Sequence, residues 1–306
     1  MRGDEPWRGE LRARMAGKIL FDEPAEVHTS IGVGGRIDAL CFPESEGELA
    51  SVVTFLRAAG TPFLPVGNWT NLIVRDSGYR GVLISTTGLH SLKASDDEDG
   101  GVHLDAQAGL SLSDLVNLAV REALTGMEFC AGIPGSVGGA VRMNAGAFGG
   151  EMKDICLAVR LLDPQAEVRT APRTELNFSY RNLDLPAESI IIGAAFSLRR
   201  GNGEEIARRV REIIALRRGK HPLEFRSAGS IFKNPREVPA GKLIEQAGLK
   251  GLRIGDAQVS EKHGNFIINR GHATAEELLG LIELVQRRVY EATGHALEPE
   301  VRIIGE

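Results

Sequence analysis

The glycine-rich stretch between positions 132 and 150 constrains this chain more than any other feature. Its sequence, GIPGSVGGAVRMNAGAFGG, has glycine at seven of nineteen positions. Glycine loses more conformational entropy than other residues in a regular helix or strand, so the stretch predicts a loop. In such a loop consecutive backbone N–H groups can converge on an anionic oxygen, as a diphosphate requires.

A second, shorter loop of similar character, VGNWTNL, runs from Val66 to Leu72 after a strand-like segment. One such loop is as compatible with a tight turn as with a ligand site, but two in one chain favour a phosphorylated ligand. Neither loop has the pattern GxGxxG or GxxxxGK[ST], so a Rossmann dinucleotide site or a P-loop is not supported. Uncharged polar side chains among the glycines suit hydrogen bonds to a flat heteroaromatic group or a sugar.

Length and composition place the chain among multidomain globular proteins. It has 306 residues, of which 42% are hydrophobic and 25% charged, so disorder and coiled coil are excluded for the whole chain. A net charge of −5 argues against a nucleic-acid partner, which needs a basic face. No apolar run approaches the ~20 residues of a membrane span, and the mixed charges of positions 1–20 argue against a signal peptide. We expect a cytoplasmic protein with no membrane partner.

The cysteines and histidines give little support for a metal site. Cys41, Cys130 and Cys156 are far apart in the sequence and form no CxxC pair, so we expect buried thiols. The seven histidines include no HxH or HExxH pair. We therefore assign no metal ligand.

Hydrophobic periodicity divides the chain into compact α/β units. Capping-box signals predict helices at 45–60 and 275–293, the second closed by Gly294. Strand-like runs alternate with these helices. We place the three expected domains at 1–88, 89–202 and 203–306.

The last domain contains a short segment with several chemically active side chains, RSAGSIFKNP. It brings Arg226, Ser230, Lys233 and Asn234 within ten residues. The segment is either an anion pocket with a serine that can move a proton or a turn that enters a strand. No GxSxG motif accompanies Ser230, so a hydrolase nucleophile is not indicated.

Five further residues have both a functional and a structural interpretation. Glu298 and Glu300 precede the final strand-like run, where a carboxylate can be a general acid or part of a solvated edge. Arg181, next to Tyr180, suits a planar carboxylate or a surface ion pair. His263 can orient a polar substrate group or cap a turn.

Six ordered motifs resemble those of the UDP-N-acetylenolpyruvoylglucosamine reductases. They are AGIPGSVGGAVRMNAGAFGGE, SYRN, RSAGSIFKNP, AGKLIEQAGLKG, VSEKHGNFIIN and LEPEVRIIG, and the resemblance runs over about 29–305. It is to the shorter type II form, because no room exists after SYRN for the longer type's tyrosine-bearing loop. The resemblance implies an α+β chain, with a vanillyl-alcohol-oxidase-type (PCMH-like) FAD-binding fold of two α/β subdomains and a C-terminal α+β substrate domain.

The resemblance also implies a reaction. NADPH reduces FAD, and a hydride from flavin N5 then reaches C3 of the enolpyruvyl group of UDP-N-acetylenolpyruvoylglucosamine, giving UDP-N-acetylmuramate for peptidoglycan. Ser230 matches the family's proton donor to C2, and Arg181 and Glu300 match the residues that stabilise the enolate. The expected substrate contacts are Tyr180, Arg226, Lys233, Asn234 and His263.

FAD is expected to contact both glycine-rich loops. The expected positions are Val66, Gly67, Asn68, Trp69, Thr70, Asn71 and Leu72 in the first loop, and Gly132, Ile133, Pro134, Gly135, Ser136, Gly138, Gly139, Ala140, Asn144 and Gly146 in the second.

Trp69 departs from the family pattern. The family's first loop usually reads Gly-x-Gly-Ser-Asn-Leu, whereas this chain has GNWTNL from Gly67 to Leu72. A glycine at the third position would take a positive φ, which a tryptophan adopts only with strain. We therefore expect a shifted loop, with the indole stacked on the cofactor or capping it.

Two alternatives stay open. Another FAD-dependent oxidoreductase of the same fold would keep the glycine loops without needing Ser230, Arg181 and Glu300 together. A nonenzymatic flavin or nucleotide-sugar binding module would bind a flavin that NADPH cannot reduce. The sequence fixes neither the oligomeric state, for which a monomer is one possibility, nor a preference for NADPH over NADH.

Overall fold

A computed structural model describes residues 6–97 and 100–306. The chain forms two compact units. The first consists of the described chain up to Phe21, Ala39–Asn68 and Gly81–Ala215; the second consists of Asp22–Asp38, Trp69–Arg80 and Leu216–Glu306. The division into domains at 1–88, 89–202 and 203–306 stays a prediction.

Seven α-helices lie in the described part of the chain. They are α1 (Pro6–Ala13), α2 (Glu46–Ala58), α3 (Leu112–Arg121), α4 (Val137–Arg142), α5 (Gly203–Lys220), α6 (Ala240–Gln246) and α7 (Ala275–Thr293). The two helices predicted from capping signals, α2 and α7, are confirmed.

The strands are short and numerous. In chain order they are β1 (Lys18–Pro24), β2 (Arg36–Phe42), β3 (Phe63–Val66), β4 (Leu72–Val74), β5 (Tyr79–Ser85), β6 (Leu92–Asp96), β7 (Gly101–Gln107), β8 (Leu124–Thr125), β9 (Gly146–Ala147), β10 (Gly150–Glu151), β11 (Cys156–Leu162), β12 (Val168–Pro172), β13 (Asn177–Ser179), β14 (Asn182–Asp184), β15 (Ile190–Arg200), β16 (Arg226–Ser230), β17 (Arg253–Ile254), β18 (Ala257–Val259), β19 (Phe266–Asn269) and β20 (Arg302–Ile304).

The strands wholly or mainly in the first unit form two larger sheets. One has the order β1-β2-β5-β3, with β3 and β5 parallel. The other is antiparallel, with the order β12-β11-β15-β7-β6, and β8 also pairs with β15. Two hydrophobic cores accompany these sheets. To the core that includes buried side chains of β2 and β5, α2 contributes four fully buried side chains: Leu49, Val52, Val53 and Leu56.

The second unit combines an antiparallel sheet with two helices. Its strands have the order β16-β19-β18-β17, and β4 and β20 form a separate parallel pair. One core joins buried side chains from distant parts of the chain, including Ile31, Ile73 and Val301 as well as the apolar face of α7. Residues that are far apart in sequence therefore make one folding unit.

Capping explains where α2 and α7 begin. The Ser45 hydroxyl oxygen accepts a hydrogen bond from the Glu48 N–H at 3.1 Å. The Glu48 carboxylate instead accepts from the N–H groups of Gly17 and Glu44, so the capping box at α2 is only half formed. At α7 the reciprocal box of Thr274 and Glu277 is complete.

The glycine-rich stretch contains one helix, α4, where the sequence predicted none. Close packing at Gly138 explains why a glycine stands within this helix. The Gly138 N–H donates to the Ala108 carbonyl oxygen at 2.8 Å, and a Cβ on Gly138 would lie 2.8 Å from the Ala108 Cβ. No side chain fits there. Glycine is therefore required in α4 for close packing against the neighbouring chain, despite its low helix propensity.

Positions 1–5, Glu98 and Asp99 lie outside the described residues. Within residues 6–97 and 100–306, no helix combines the length and apolarity that a membrane span requires.

Candidate active site

The two glycine-rich loops meet at Gly67 and Ser136. Ser136 is 1% exposed, and within the described residues its Oγ has no hydrogen-bond partner. A Cβ on Gly67 would lie 2.3 Å from that oxygen, so only glycine fits against the hydroxyl at this point of the loop. A buried hydroxyl without a partner costs about 1–3 kcal/mol. This pair therefore fits a polar ligand such as the FAD expected at these loops.

Trp69 takes a left-handed backbone conformation, with φ of 56°. The chain thus keeps the positive φ that a glycine would adopt, and the backbone shift that we expected is not needed. The indole is 7% exposed and its ring centroid lies 5.4 Å from that of His28. The Trp69 carbonyl oxygen accepts from the Ser30 N–H at 3.2 Å. Contact between the indole and the cofactor stays a prediction.

The end of the first loop holds the C-terminal segment. The Asn71 side-chain Nδ2 donates to the Glu300 carbonyl oxygen at 3.0 Å, and the Arg302 N–H donates to the Asn71 carbonyl oxygen at 3.0 Å. Leu72 then pairs with Arg302 where β4 and β20 run in parallel. Asn71 therefore fixes the backbone on both sides of residue 301.

Ser230 and Glu300 lie on neighbouring segments of the second unit. Ser230 ends β16 and pairs with Phe266 in β19. The next residue, Ile231, accepts a hydrogen bond from the Glu300 N–H at 2.7 Å. Both side chains are half-buried. Two of the three predicted catalytic residues are thus brought together by backbone pairing.

The neighbouring Lys233 and Glu298 form an ion pair. Their backbones are also joined, because the Lys233 N–H donates to the Glu298 carbonyl oxygen at 2.9 Å. The Glu298 side chain is 71% exposed, whereas Glu300 is half-buried. The two glutamates therefore differ in environment, and Glu298 is the one on the solvated edge.

Asn265 was not singled out in the sequence, yet it fixes the segment after Ser230. Its side chain accepts from the Phe232 N–H at 2.9 Å and donates to the Phe232 carbonyl oxygen at 2.8 Å. Its backbone carbonyl oxygen accepts from the Ile231 N–H at 2.9 Å. The only signal in the sequence is its place in the HGNFIIN run.

Arg181 lies in the turn of the β13–β14 hairpin, in the first unit. Its φ is 56°, and its guanidinium carbon lies 5.1 Å from the centroid of the exposed Tyr180 ring. The preceding carbonyl oxygen, of Ser179, accepts from the Asn144 side chain at 2.9 Å. The glycine-rich stretch thus contacts the hairpin that carries the predicted catalytic arginine.

Two predicted substrate contacts also have structural roles in the second unit. Arg226 Nη2 donates to the carbonyl oxygens of Glu26 at 3.2 Å and Thr29 at 3.0 Å. The Asn234 Oδ1 accepts from the Ala240 N–H at 3.0 Å, at the start of α6. Each therefore orders a chain segment of its own unit.

His263 packs against His221 and Phe266, with ring centroids 5.6 Å and 5.0 Å away. Burial, followed by the charge of Lys250, lowers the pKa of His263 below its ordinary value. Burial and the charge of Arg217 lower the pKa of His221 to about 4. Both imidazoles are consequently neutral at physiological pH, and the His263 Nδ1 accepts from the Asn265 N–H at 3.2 Å.

The predicted buried thiols are confirmed. Cys41, Cys130 and Cys156 are all buried and form no disulfide. Burial raises the pKa of Cys41 to about 12 and that of Cys156 to about 11. In the part of the chain that the structure describes, no three His, Cys, Asp or Glu side chains are placed to hold a metal ion.

Two family models match the chain. The model of the UDP-N-acetylenolpyruvoylglucosamine reductase C-terminal domain matches residues 221–304, and that of an FAD binding domain matches residues 37–171.

Similar curated proteins cover nearly the whole chain. A UDP-N-acetylenolpyruvoylglucosamine reductase of Syntrophus aciditrophicus (strain SB) is 53% identical over 297 residues, which are 97% of this chain and 95% of that protein. The reductase of the same name from Caldanaerobacter subterraneus subsp. tengcongensis is 46% identical, over 95% of each chain.

Solved structures extend the likeness. The UDP-N-acetylenolpyruvylglucosamine reductase of Thermus caldophilus is 36% identical, with a TM-score of 0.79, and the match covers 95% of this chain and all of that one. An alkyldihydroxyacetonephosphate synthase matches at 14% identity with a TM-score of 0.50, over 65% of this chain and 41% of that one. The second match concerns the fold alone.

Proposed function

This chain belongs to the UDP-N-acetylenolpyruvoylglucosamine reductase family, and we propose that Ser230, Arg181 and Glu300 carry its chemistry. The protein is an FAD-dependent, NADPH-linked oxidoreductase, a UDP-N-acetylmuramate dehydrogenase of peptidoglycan synthesis. The expected vanillyl-alcohol-oxidase-type FAD-binding fold with a C-terminal α+β domain is confirmed.

Bound at the two glycine-rich loops, FAD would supply the transfer of a hydride from NADPH to C3 of the enolpyruvyl group. Arg181 pairs with the carboxylate of the bound substrate, because its planar guanidinium matches a carboxylate with two parallel hydrogen bonds. Glu300 is half-buried. In a water-poor site its neutral form would donate a hydrogen bond to the charge that develops next to C2.

Ser230 completes the reaction by giving its hydroxyl proton to C2. A serine hydroxyl is a weak acid at neutral pH, so the transfer depends on the strong basicity of the enolate that accepts it. Lys233, the neighbouring cation, is paired with Glu298. We therefore propose that a water relay rather than Lys233 returns a proton to the Ser230 oxygen.

One observation supports this assignment above the others. The Glu300 N–H donates to the carbonyl oxygen of Ile231, next to Ser230, at 2.7 Å. A proton donor and a carboxyl group thereby belong to one rigid backbone pairing, as the protonation of an enolate needs. An FAD oxidoreductase with a different substrate would not require that combination.

The test is an anaerobic visible spectrum of the FAD-loaded protein, first with NADPH and then with UDP-N-acetylenolpyruvoylglucosamine. The flavin bands should bleach with NADPH and return with the substrate. In Ser230→Ala they should bleach at a near-normal rate and return at least about 100-fold more slowly. Ser227→Ala, the same change in the same strand β16, is the matched control and should behave as the wild type.

The alternatives give other spectra. Bands that bleach but never return would refute the substrate assignment and favour another FAD oxidoreductase. A bound flavin that NADPH does not bleach would favour a nonenzymatic binding module. A slow first half-reaction in Ser230→Ala would contradict its role as proton donor.

The finer expectations about partners belong to the same proposal. We propose that the enzyme acts in the cytoplasm, without a nucleic-acid or membrane partner. We also propose that Tyr180, Arg226, Lys233, Asn234 and His263 contact the substrate. The residues of the two glycine-rich loops contact FAD in this proposal, except the side chain of Asn144, whose amide is bonded within the protein. The juxtaposition of Gly67 and Ser136 supports the second assignment.

A further inference from the structure

The side chain of Asn144 is buried within the glycine-rich stretch, with 0% of its surface exposed. Its Nδ2 donates to the Glu151 Oε2 at 2.6 Å and to the Ser179 carbonyl oxygen at 2.9 Å. Its Oδ1 accepts from the Lys153 N–H at 3.0 Å. Both amide hydrogens and one lone pair are thus used by the protein itself.

These partners also fix the orientation of the carboxamide. Turned by 180°, the amide would place its oxygen against a carboxylate and a carbonyl oxygen, and its NH2 group against the Lys153 N–H. Only one orientation satisfies all three contacts. Asn144 is therefore a rigid connection to the Ser179 carbonyl oxygen.

Ser179 is the last residue of β13, directly before the turn of the β13–β14 hairpin. It pairs with Asn182 across a two-residue turn formed by Tyr180 and Arg181. Arg181 has a φ of 56°, a conformation that costs a non-glycine residue energy and persists where the surroundings hold it. The position of the arginine in the turn therefore depends on how firmly the hairpin is held.

The hairpin has only three residues in each strand, and a pair of this size is marginal by itself. Two side chains of the glycine-rich stretch form hydrogen bonds to both strands. Asn144 holds the end of β13, and Arg142 holds β14 through Asn182 Oδ1 at 3.2 Å and the Leu183 carbonyl oxygen. Ser179 and Asn182 flank the turn. Asn144 binds the backbone of Ser179, whereas Arg142 binds the side chain of Asn182 and the backbone of Leu183, one residue further from the turn.

We infer that Asn144 is a positioning residue for Arg181, acting through the Ser179 carbonyl oxygen. The inference rests on the proposed role of Arg181 in holding the substrate carboxylate. It differs from the sequence-based expectation, in which the Asn144 amide contacts FAD. The glycine-rich stretch thus serves the substrate step as well as cofactor binding.

The test compares Asn144→Ala, Arg181→Ala and the double variant in the FAD-loaded protein. Asn144→Ala should raise KM for the enolpyruvyl substrate and slow flavin reoxidation by about 10-fold to 100-fold, since a small misplacement of a binding group has effects of that size. FAD affinity and the rate of flavin reduction by NADPH should change less than about 2-fold. In the Arg181→Ala background, Asn144→Ala should change the substrate KM and the rate of flavin reoxidation by less than about 2-fold further. Asn177→Ala, an exposed asparagine in the same hairpin, should behave as the wild type.

Asn144→Asp gives a second measurement if the alanine variant does not fold. It keeps the volume and the acceptor for the Lys153 N–H. At neutral pH, however, it places a second carboxylate next to that of Glu151 and removes the hydrogen-bond donor to the Ser179 carbonyl oxygen. The substrate defect should be present at neutral pH and diminish as the pH falls and the introduced carboxyl group is protonated.

Three outcomes would overturn the inference. Weaker FAD binding with an equal loss in both half-reactions would make Asn144 a cofactor contact. Fully multiplicative effects of Asn144→Ala and Arg181→Ala would mean that the two act independently. A normal substrate step in Arg181→Ala would refute the proposed role of the arginine, and the inference with it, whereas a defective Arg181→Ala beside a normal Asn144→Ala would refute the inference alone.

Discussion

Trp69 shows at the residue scale how burial can outweigh backbone strain. A left-handed conformation costs a non-glycine residue about 1–2 kcal/mol, whereas truncating a buried tryptophan costs about 3–5 kcal/mol. Trp69 is almost fully buried and packs against His28. The indole therefore stabilises this loop more than its φ destabilises it.

We expect Trp69→Gly to lower the free energy of unfolding by about 2 kcal/mol, although it relieves the strain. Urea unfolding measures the change, and Trp69→Phe should give a smaller loss because it keeps an aromatic ring beside His28. A variant more stable than the wild type would show that strain dominates. Unchanged or tighter FAD binding in Trp69→Gly would contradict the expected contact between indole and cofactor.

The cysteines should be unreactive in the folded protein. With a pKa of about 11, the Cys156 thiol is ionised in about one molecule in a thousand at pH 8, and burial also blocks access. We expect negligible labelling by a thiol reagent in native buffer and labelling of three thiols in denaturant. Rapid labelling of any cysteine in the native protein would contradict its burial.

Two half-buried histidines, His221 and His263, make stability depend on pH. The pKa of His221 is lowered from 6.5 to about 4 in the folded protein, so between these values the unfolded chain binds more protons. The free energy of unfolding should then fall as the pH falls from about 6.5 to about 4. His263 contributes in the same direction, because its pKa is also lowered.

The measurement is denaturant unfolding at a series of pH values. His221→Gln should give a shallower loss of stability across that window than the wild type. His272→Gln, at an exposed position, is the control and should leave the slope unchanged. An identical slope for His221→Gln and the wild type would contradict this account.

At the scale of elements, α7 is capped from two parts of the chain. Thr274 and Glu277 supply the local capping box. The Asp76 carboxylate, far away in sequence, accepts from the N–H groups of Ala275 at 2.9 Å and Glu276 at 2.8 Å. A carboxylate also complements the positive end of the helix dipole.

We expect Asp76→Ala to cost about 1–2 kcal/mol of stability, because it leaves two N–H groups without their acceptor and removes the favourable charge. Asp76→Asn should cost less, since one oxygen acceptor remains, and Thr274→Ala should cost about 1 kcal/mol. Urea unfolding compares the three. Equal stability of Asp76→Ala and the wild type would show that α7 does not depend on the distant cap.

At the scale of the whole molecule, FAD binding should couple to folding. A ligand that binds only the folded protein stabilises it by about 2.7 kcal/mol at a concentration 100 times its Kd. The melting temperature should therefore be several degrees higher with FAD than after its removal, and it should rise with FAD concentration. Glucose, which lacks both the flavin and the nucleotide, is a suitable control. A melting temperature independent of FAD would contradict cofactor binding.

The sequence alone determined the features that depend on neighbouring residues. The capping signals of α2 and α7 lie within one turn of each helix start and the apolar spacing lies within the helix itself, so both can be recognised without the rest of the fold. The order of the six motifs determined the family, the fold class and the cofactor. The helix α4 was missed because Gly138 is chosen for its distance from Ala108, which no local pattern contains.

Only the tertiary structure decided which distant groups meet. Glu300 pairs with Ile231 beside Ser230, Asn144 holds Ser179, and Gly67 faces the Ser136 hydroxyl. Each contact joins segments separated by tens of residues, and each depends on sheet register and close packing rather than on propensity. An asparagine or glycine has the same local preferences whether it binds a cofactor or holds a neighbouring loop, so its partner emerges only when the chain has folded.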